Sequence, residues 1–435
     1  MYRRPKIGKQ LYLFSTILFF ISGCASVRHA VPINLTGNAQ ILGMPDDPRA
    51  FWGQSNSVIT QDFISSLKQE TKDCFSLDAE GNKTYSVLAI SSGAENGAYG
   101  AGLLKGWSRS GSRPVFKAVT GISTGAIIAT FAFLGSDYDR MLEEVYTTYS
   151  TKDLVSPKMI FGDSLVSNRP LEHLIEKYFD KQILQEIAKE YYKGRRLYIG
   201  TTNLDTQQLV VWNMGKIASL GNDQALALFR KVILASAAFP GAFPPVFFKV
   251  EANGKIYDEM HTDGGVAKQV FLPYDGLQIL KKATVIAREN NSNPSKLRYK
   301  IYIIRNNYVD PIWKEVPDKL ISITWRAVDT MLKAQSNGDI YQLYVLTKTG
   351  IGDFNLACIP AGYIPNGKEA FDPVEMKKLF DLGFEEASKG YPWRKTPLGV
   401  EEAEKEDKEI PCSSLRRLLN NMTCWYRKCF SVNKL

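Results

Sequence analysis

Apolar residues in this chain fall into short runs divided by turn-forming residues, and from Tyr85 onward the runs alternate between strand-like and helix-like lengths. SVLAIS, residues 86–91, predicts a buried strand and leads at once into the small-residue stretch GAENGAYGAG, 93–102. VFKAVT, 115–120, predicts a second strand that runs through GISTG into the helix-length stretch AIIATFAFL, 126–134. Strand, tight turn and helix, twice in succession, predict an α/β layer fold with its site at the C-terminal ends of the strands. Helices are predicted over 138–149, over 171–192 behind the start signal of Pro170, and over 223–237, where FPGAFPPV forbids continuation. Strands are expected at 196–205, 208–214, 246–250, 255–257 and 300–306, and further helices at 321–334 and 373–388.

The two ends differ from this core. Arg3, Arg4, Lys6 and Lys9 precede an uncharged apolar run over 11–21, too short to span a bilayer and laid out as a secretory signal. It ends in ISGC, 21–24, which resembles the lipobox of bacterial lipoproteins. The resemblance implies cleavage before Cys24 and acylation of that residue, with several acyl chains giving firm membrane attachment. Ala25 after the cysteine implies, by analogy with lipoprotein sorting, delivery to the outer membrane of a bacterial cell envelope. The expected organisation is a signal peptide over 1–23, a tether and surface-wrapping segment over 24–84 with one helix near 59–68, a catalytic domain over 85–395 and a tail over 396–435. The tail carries the charge run EEAEKEDKE, 401–409, then an amphipathic segment that reads as a short surface helix or a second membrane contact.

At 435 residues, 44% hydrophobic and 23% charged, the chain is not disordered overall. Its net charge is +9, four of it from the leader, and no basic-aromatic stripe or zinc-finger spacing points to nucleic acid. Six cysteines, none in a CxxC pair, and three histidines make a metal site unexpected.

The candidate chemistry begins at Gly121-Ile122-Ser123-Thr124-Gly125. A GxSxG between strand and helix sets serine on a sharp turn, facing substrate beside helix-start N–H groups. A serine needs a base. His29 and His173 are poorly placed for that task, which leaves His261 and the Asp263-Gly264-Gly265 signal two residues on. An aspartate at a strand end can take the serine proton directly if it is within hydrogen-bond reach, and partial exclusion of water would raise its pKa usefully. The turn over 91–97 offers main-chain donors for an oxyanion, Gly93 and Ala94 above all.

In this order the three elements resemble the patatin-like phospholipase family, in particular its bacterial lipoprotein members. GTTNLDTQQLVVW, 200–212, and ASAAFPGAFPPV, 235–246, add to the likeness, which covers about 85–273. The resemblance implies a three-layer α/β/α sandwich with a nucleophile elbow. It also implies hydrolysis of carboxylic esters of membrane lipids by a Ser123–Asp263 dyad, through an acyl-serine, with no metal or cofactor. Where family loops read GGGxxG or GGGxRG, this chain has Ser92 and Ala94, which still carry N–H groups. Two other readings stay open: a serine esterase or thioesterase in which His261 is the base and Asp263 its orienter, and a non-enzymatic envelope lipoprotein that keeps the fold.

Overall fold

The computed structural model describes residues 28–52, 58–157, 166–272, 298–348, 352–366 and 369–400. Cys24, the signal run and the tail beyond residue 400 lie outside the described residues. In chain order the elements are β1 (Gln40–Ile41), β2 (Arg49–Phe51), α1 (Val58–Gln69), β3 (Ser76–Leu77), β4 (Lys83–Ile90), α2 (Gly97–Arg109), β5 (Ala118–Ile122), α3 (Thr124–Leu134), α4 (Asp139–Thr147) and α5 (Thr151–Leu154). A two-stranded ribbon of β6 (Ser156–Pro157) and β7 (Val166–Ser167) precedes α6 (Arg169–Tyr178) and α7 (Lys181–Tyr192). The chain continues as β8 (Arg196–Asn203), β9 (Gln208–Asn213), α8 (Met214–Ala218), α9 (Asp223–Ser236), β10 (Val246–Ala252), β11 (Lys255–Asp263), β12 (Arg298–Arg305), α10 (Leu320–Leu346), β13 (Gly352–Cys358) and α11 (Pro373–Ser388).

A central sheet runs in the order β1-β10-β11-β8-β5-β4-β12-β13, with β9 and then β2 extending from β8 and β3 paired to β4. The strands from β8 through β5, β4 and β12 to β13 pair in parallel, and β4, β5 and β8 are buried almost throughout, as strands covered on both faces are. Alternation within β4 shows the two faces. Leu88 and Ile90 join the core packed under α2, α3, α9 and α11, whereas Tyr85, Val87 and Ala89 meet Phe63 of α1 and Ile340, Leu343 and Tyr344 of α10. The result is a mixed α/β fold with a central sheet flanked by helices.

The helix expected over 171–192 is two helices. Tyr178 ends the first, and the Asp180 carboxylate accepts the Ile183 N–H at 2.9 Å to cap the second, a start signal inside an otherwise periodic run. The second strand is shifted towards its glycine turn: it starts at Ala118, leaves Val115 exposed and runs to Ile122. The strand expected at 255–257 continues to Asp263.

That extra length positions the site. β9 occupies one edge of β8, so β5 and β11 share the other. Ile122, the last residue of β5, stands opposite Gly200, and Asp263, the last residue of β11, stands opposite Thr201. The parallel and antiparallel neighbours thus meet end to end at consecutive residues of β8, and the residues leaving them, Ser123 and Asp263, are brought face to face.

Candidate active site

Ser123 follows β5 and is the N-cap of α3, with φ 57° and ψ −125°. Such a backbone costs a residue with a Cβ roughly 1–3 kcal/mol and persists only where its surroundings hold it. The surroundings are specific. A Cβ at Gly125 would come within 2.5 Å of the Ile90 carbonyl oxygen, so the helix start lies directly against the end of β4. The Ser123 N–H donates to Ser236 Oγ at 2.9 Å, and that hydroxyl donates to the Gly200 carbonyl at 2.8 Å. The end of α9 therefore ties the serine turn to β8.

Asp263 is buried, and its Oδ1 accepts the Gly265 N–H at 2.7 Å. The Ser123 hydroxyl approaches as a second donor. Burial pushes the Asp263 pKa up to about 7; the Ser123 and Gly265 hydrogen bonds favour its charged form but only partly offset the lost hydration. No cation is paired with it among the described residues. The carboxyl is thus poised to hold or release a proton near neutrality.

Gly93 and Ala94 begin the turn after β4. Gly93 packs so tightly against the Asn306 carbonyl that an added Cβ would lie 2.1 Å from its oxygen. Ala94 sits at φ 48°, in the left-handed region that a glycine would occupy freely. Ala94 is therefore held in a conformation that a glycine would adopt freely, at a cost in strain. Neither amide N–H finds an acceptor among the described residues.

A polar network, not evident in the sequence, holds this turn. Ser92 N–H donates to the Gln269 carbonyl at 3.1 Å, and the Ser92 hydroxyl donates to Gln269 Oε1. Gln269 Nε2 donates to the Gly265 carbonyl at 2.6 Å, which links the turn to the loop after Asp263. Arg305, buried at the end of β12, donates from Nη1 to Ser91 Oγ at 3.2 Å and to the Ser92 carbonyl at 3.1 Å. Asn306 Nδ2 donates to the Ser91 carbonyl at 3.0 Å. The available signal was the polar pair Arg305-Asn306 closing an apolar strand; Ser236 and Gln269 gave none.

Ser123, Asp263, Gly93 and Ala94 all line one cavity of about 430 Å³. Its apolar wall includes Ile127, Val145, Leu171, Phe239, Phe243 and Met376. From the apolar helical segments 126–134 and 225–237 only Ile127 and Ala237 reach the cavity; Ala126, Phe131, Leu228 and Ile233 are core.

His261 is not brought to this site. It does not line the cavity, its Nδ1 is 2.9 Å from Thr201 Oγ1 and its Nε2 is 3.1 Å from Glu259 Oε2, so both ring nitrogens are occupied. The ring lies edge-on to Phe248, and burial lowers its pKa. His29 stacks on Tyr257, and His173 is exposed on α6. Cys74 and Cys358 are buried free thiols, and the remaining cysteines lie outside the described residues. Among the described residues no cluster of His, Cys, Asp or Glu is arranged to hold a metal, and no helix is long and apolar enough to cross a membrane.

A serine on a strained strand-to-helix turn, facing a buried carboxyl in an apolar cavity, defines a class of site suited to acyl transfer. Residues 88–274 match the family described as Patatin-like phospholipase, and the chain therefore carries a patatin-like phospholipase domain, an assignment that supports lipid-hydrolase activity in general. No curated protein matches the chain significantly. Among solved structures, the crystal structure of VipD from Legionella pneumophila is similar at 11% identity and a TM-score of 0.36, over 72% of this chain and 69% of that one, a likeness too distant to inform the site.

Proposed function

We propose that this protein hydrolyses carboxylic esters of membrane phospholipids or lysophospholipids with a Ser123–Asp263 dyad. The observation that carries the reading is the shared placement of Ser123 and a carboxyl of pKa about 7 in one apolar cavity. A base with a pKa near the working pH both accepts and returns a proton efficiently. Ser123 Oγ attacks the acyl carbonyl carbon while its proton passes to Asp263. The Gly93 and Ala94 N–H groups, which have no acceptor among the described residues, receive the oxyanion. The carbon–oxygen ester bond then breaks, and the leaving alcohol oxygen takes the proton from Asp263. Water attacks the acyl-serine, gives a proton to Asp263 and releases the fatty acid as Ser123 recovers its hydroxyl. The turn at Ser123 acts as the nucleophile elbow of a three-layer α/β/α sandwich, and no metal or cofactor takes part.

In the same reading, 1–23 is a signal peptide and Cys24 is lipidated. The chain is then a bacterial envelope lipoprotein, held at the outer membrane, with a catalytic domain over 85–395 and a tail over 396–435. Support for the anchor is the ISGC sequence behind a short apolar run.

Fatty-acid release from mixed micelles tests the dyad. The full chain and His261→Gln are expected to be active, whereas Ser123→Ala and Asp263→Asn lose about 10³-fold or more in rate. An inactive but folded His261→Gln would sink the dyad in favour of the triad, and a wild-type chain that neither releases fatty acid nor takes a serine-directed phosphonate would sink the hydrolase.

A further inference from the structure

The first half of α10 and the loop before it expose large apolar side chains to an unusual degree: Trp313 is 87% exposed, Leu320 82% and Ile321 71%. Ile323, Trp325 and Met331 are also exposed. Single exposed apolar residues are ordinary, but a cluster of this size on one element marks a surface that meets something apolar.

The helical register gives the cluster a direction. Ile321, Trp325, Val328 and Leu332 recur at i, i+4, i+7 and i+11, and so share one face. Ile321 is at its outer end, whereas Leu332 lines the cavity that holds Ser123. Between them Trp325 lies 6.3 Å from Phe239, another lining residue. This apolar stripe thus leads from solvent at Ile321 to the cavity at Leu332, which Asp329 and Lys333 also line.

We infer that the exposed apolar face formed by Trp313 and the first half of α10 is a docking surface for a lipid bilayer or micelle, along which an acyl ester passes into the cavity. The inference rests on the proposed lipid substrate. Lys314, Lys319, Arg326 and Lys333 are nearly balanced by Glu315, Asp318 and Asp329, so apolar insertion rather than charge provides the attraction. A second copy of the chain seated on the stripe would cover the route to the cavity, whereas a lipid surface supplies what the cavity would take.

Vesicles containing phosphatidylcholine with brominated acyl chains, mixed with the full chain, test this through tryptophan fluorescence. The vesicles are expected to quench the wild type, most of that quenching is expected to vanish in Trp313→Phe/Trp325→Phe, and Trp425→Phe is expected to leave it intact. Quenching that survives the double substitution, or that is lost with Trp425 instead, overturns the inference. Trp313→Ser/Leu320→Ser, neither of which lines the cavity, is expected to slow hydrolysis of vesicle lipid about tenfold and to leave hydrolysis of a dispersed short-chain ester unchanged. Equal rates on vesicles for variant and wild type overturn it. A wild type that is quenched as expected yet hydrolyses neither substrate supports the docking surface and removes the proposed reaction instead.

Discussion

Two stretches of β11 only a few residues apart treat their ionisable groups in opposite ways. Around Glu259 and His261 the structure closes on itself. Arg49 donates to Glu259 and to the Ala39 carbonyl, and Asp47 accepts from Arg49 at 2.9 Å. His261 is held between Thr201 and Glu259. Burial alone would push Glu259 up, but the hydrogen bond from His261 and the charge of Arg49 outweigh it and hold the carboxyl below its usual range. At Asp263 no cation among the described residues offsets burial, and the pKa rises to about 7. Every partner present means a structural cluster; a missing partner beside an open cavity leaves a group free for chemistry.

Substitutions that neutralise each carboxylate separate the two roles most sharply. Asp263→Asn is expected to cost about 10³-fold in rate, close to 4 kcal/mol of transition-state stabilisation, while making the fold more stable at pH 8. The sign follows from linkage: a carboxyl with a folded pKa of about 7 and an unfolded value near 3.8 favours folding fully only below the lower value, and that contribution is lost as pH rises through the higher. Denaturant melts of the variant and wild type are therefore expected to differ by on the order of 2–4 kcal/mol at pH 8 and to converge below pH 4.

Glu259→Gln reverses the pattern. It removes one of the two carboxylates that hold buried Arg49, leaving Asp47, and is expected to destabilise the fold by about 2–3 kcal/mol, with the specific activity of the folded fraction within about twofold of wild type. Loss of activity without loss of stability in this variant would erase the distinction drawn between the two ends of β11. The smallest effect is the titration itself. If Asp263 is the base, kcat/KM on a neutral ester is expected to fall about tenfold per pH unit below pH 7 and to level off above it; a profile flat down to pH 5 would assign proton removal to some other group.

Much of this was legible in one dimension because it depends on neighbours in sequence. Ser123 was found from glycines two residues to either side, and the structure uses Gly125 as a close-packing position against β4. The helix of α11 was located to the residue, since Asp372 and Pro373 mark its start and Gly390 closely follows its end. By contrast β13 and the edge strands β1, β2 and β3 were not predicted, because short strands acquire their identity from the partner they pair with. The length of α10 was also underestimated, its second half being covered by the sheet face around Val87 and Ile301.

Asp263 was favoured as the base by the family resemblance, with His261 kept as the alternative, since spacing along a strand does not reveal which group is enclosed. The amino-acid sequence alone determined the α/β alternation, the glycine-flanked serine and the presence of an aspartate at a strand end, all consequences of local sterics and periodicity. Only the tertiary structure decided that β5 and β11 end at adjacent residues of β8, that Ser236, Gln269 and Arg305 lock the surrounding turns, and that His261 is enclosed while Asp263 faces the cavity. Register, long-range hydrogen bonding and loss of water are properties of the assembled sheet, and residues separated by more than a hundred positions acquire them only when they meet.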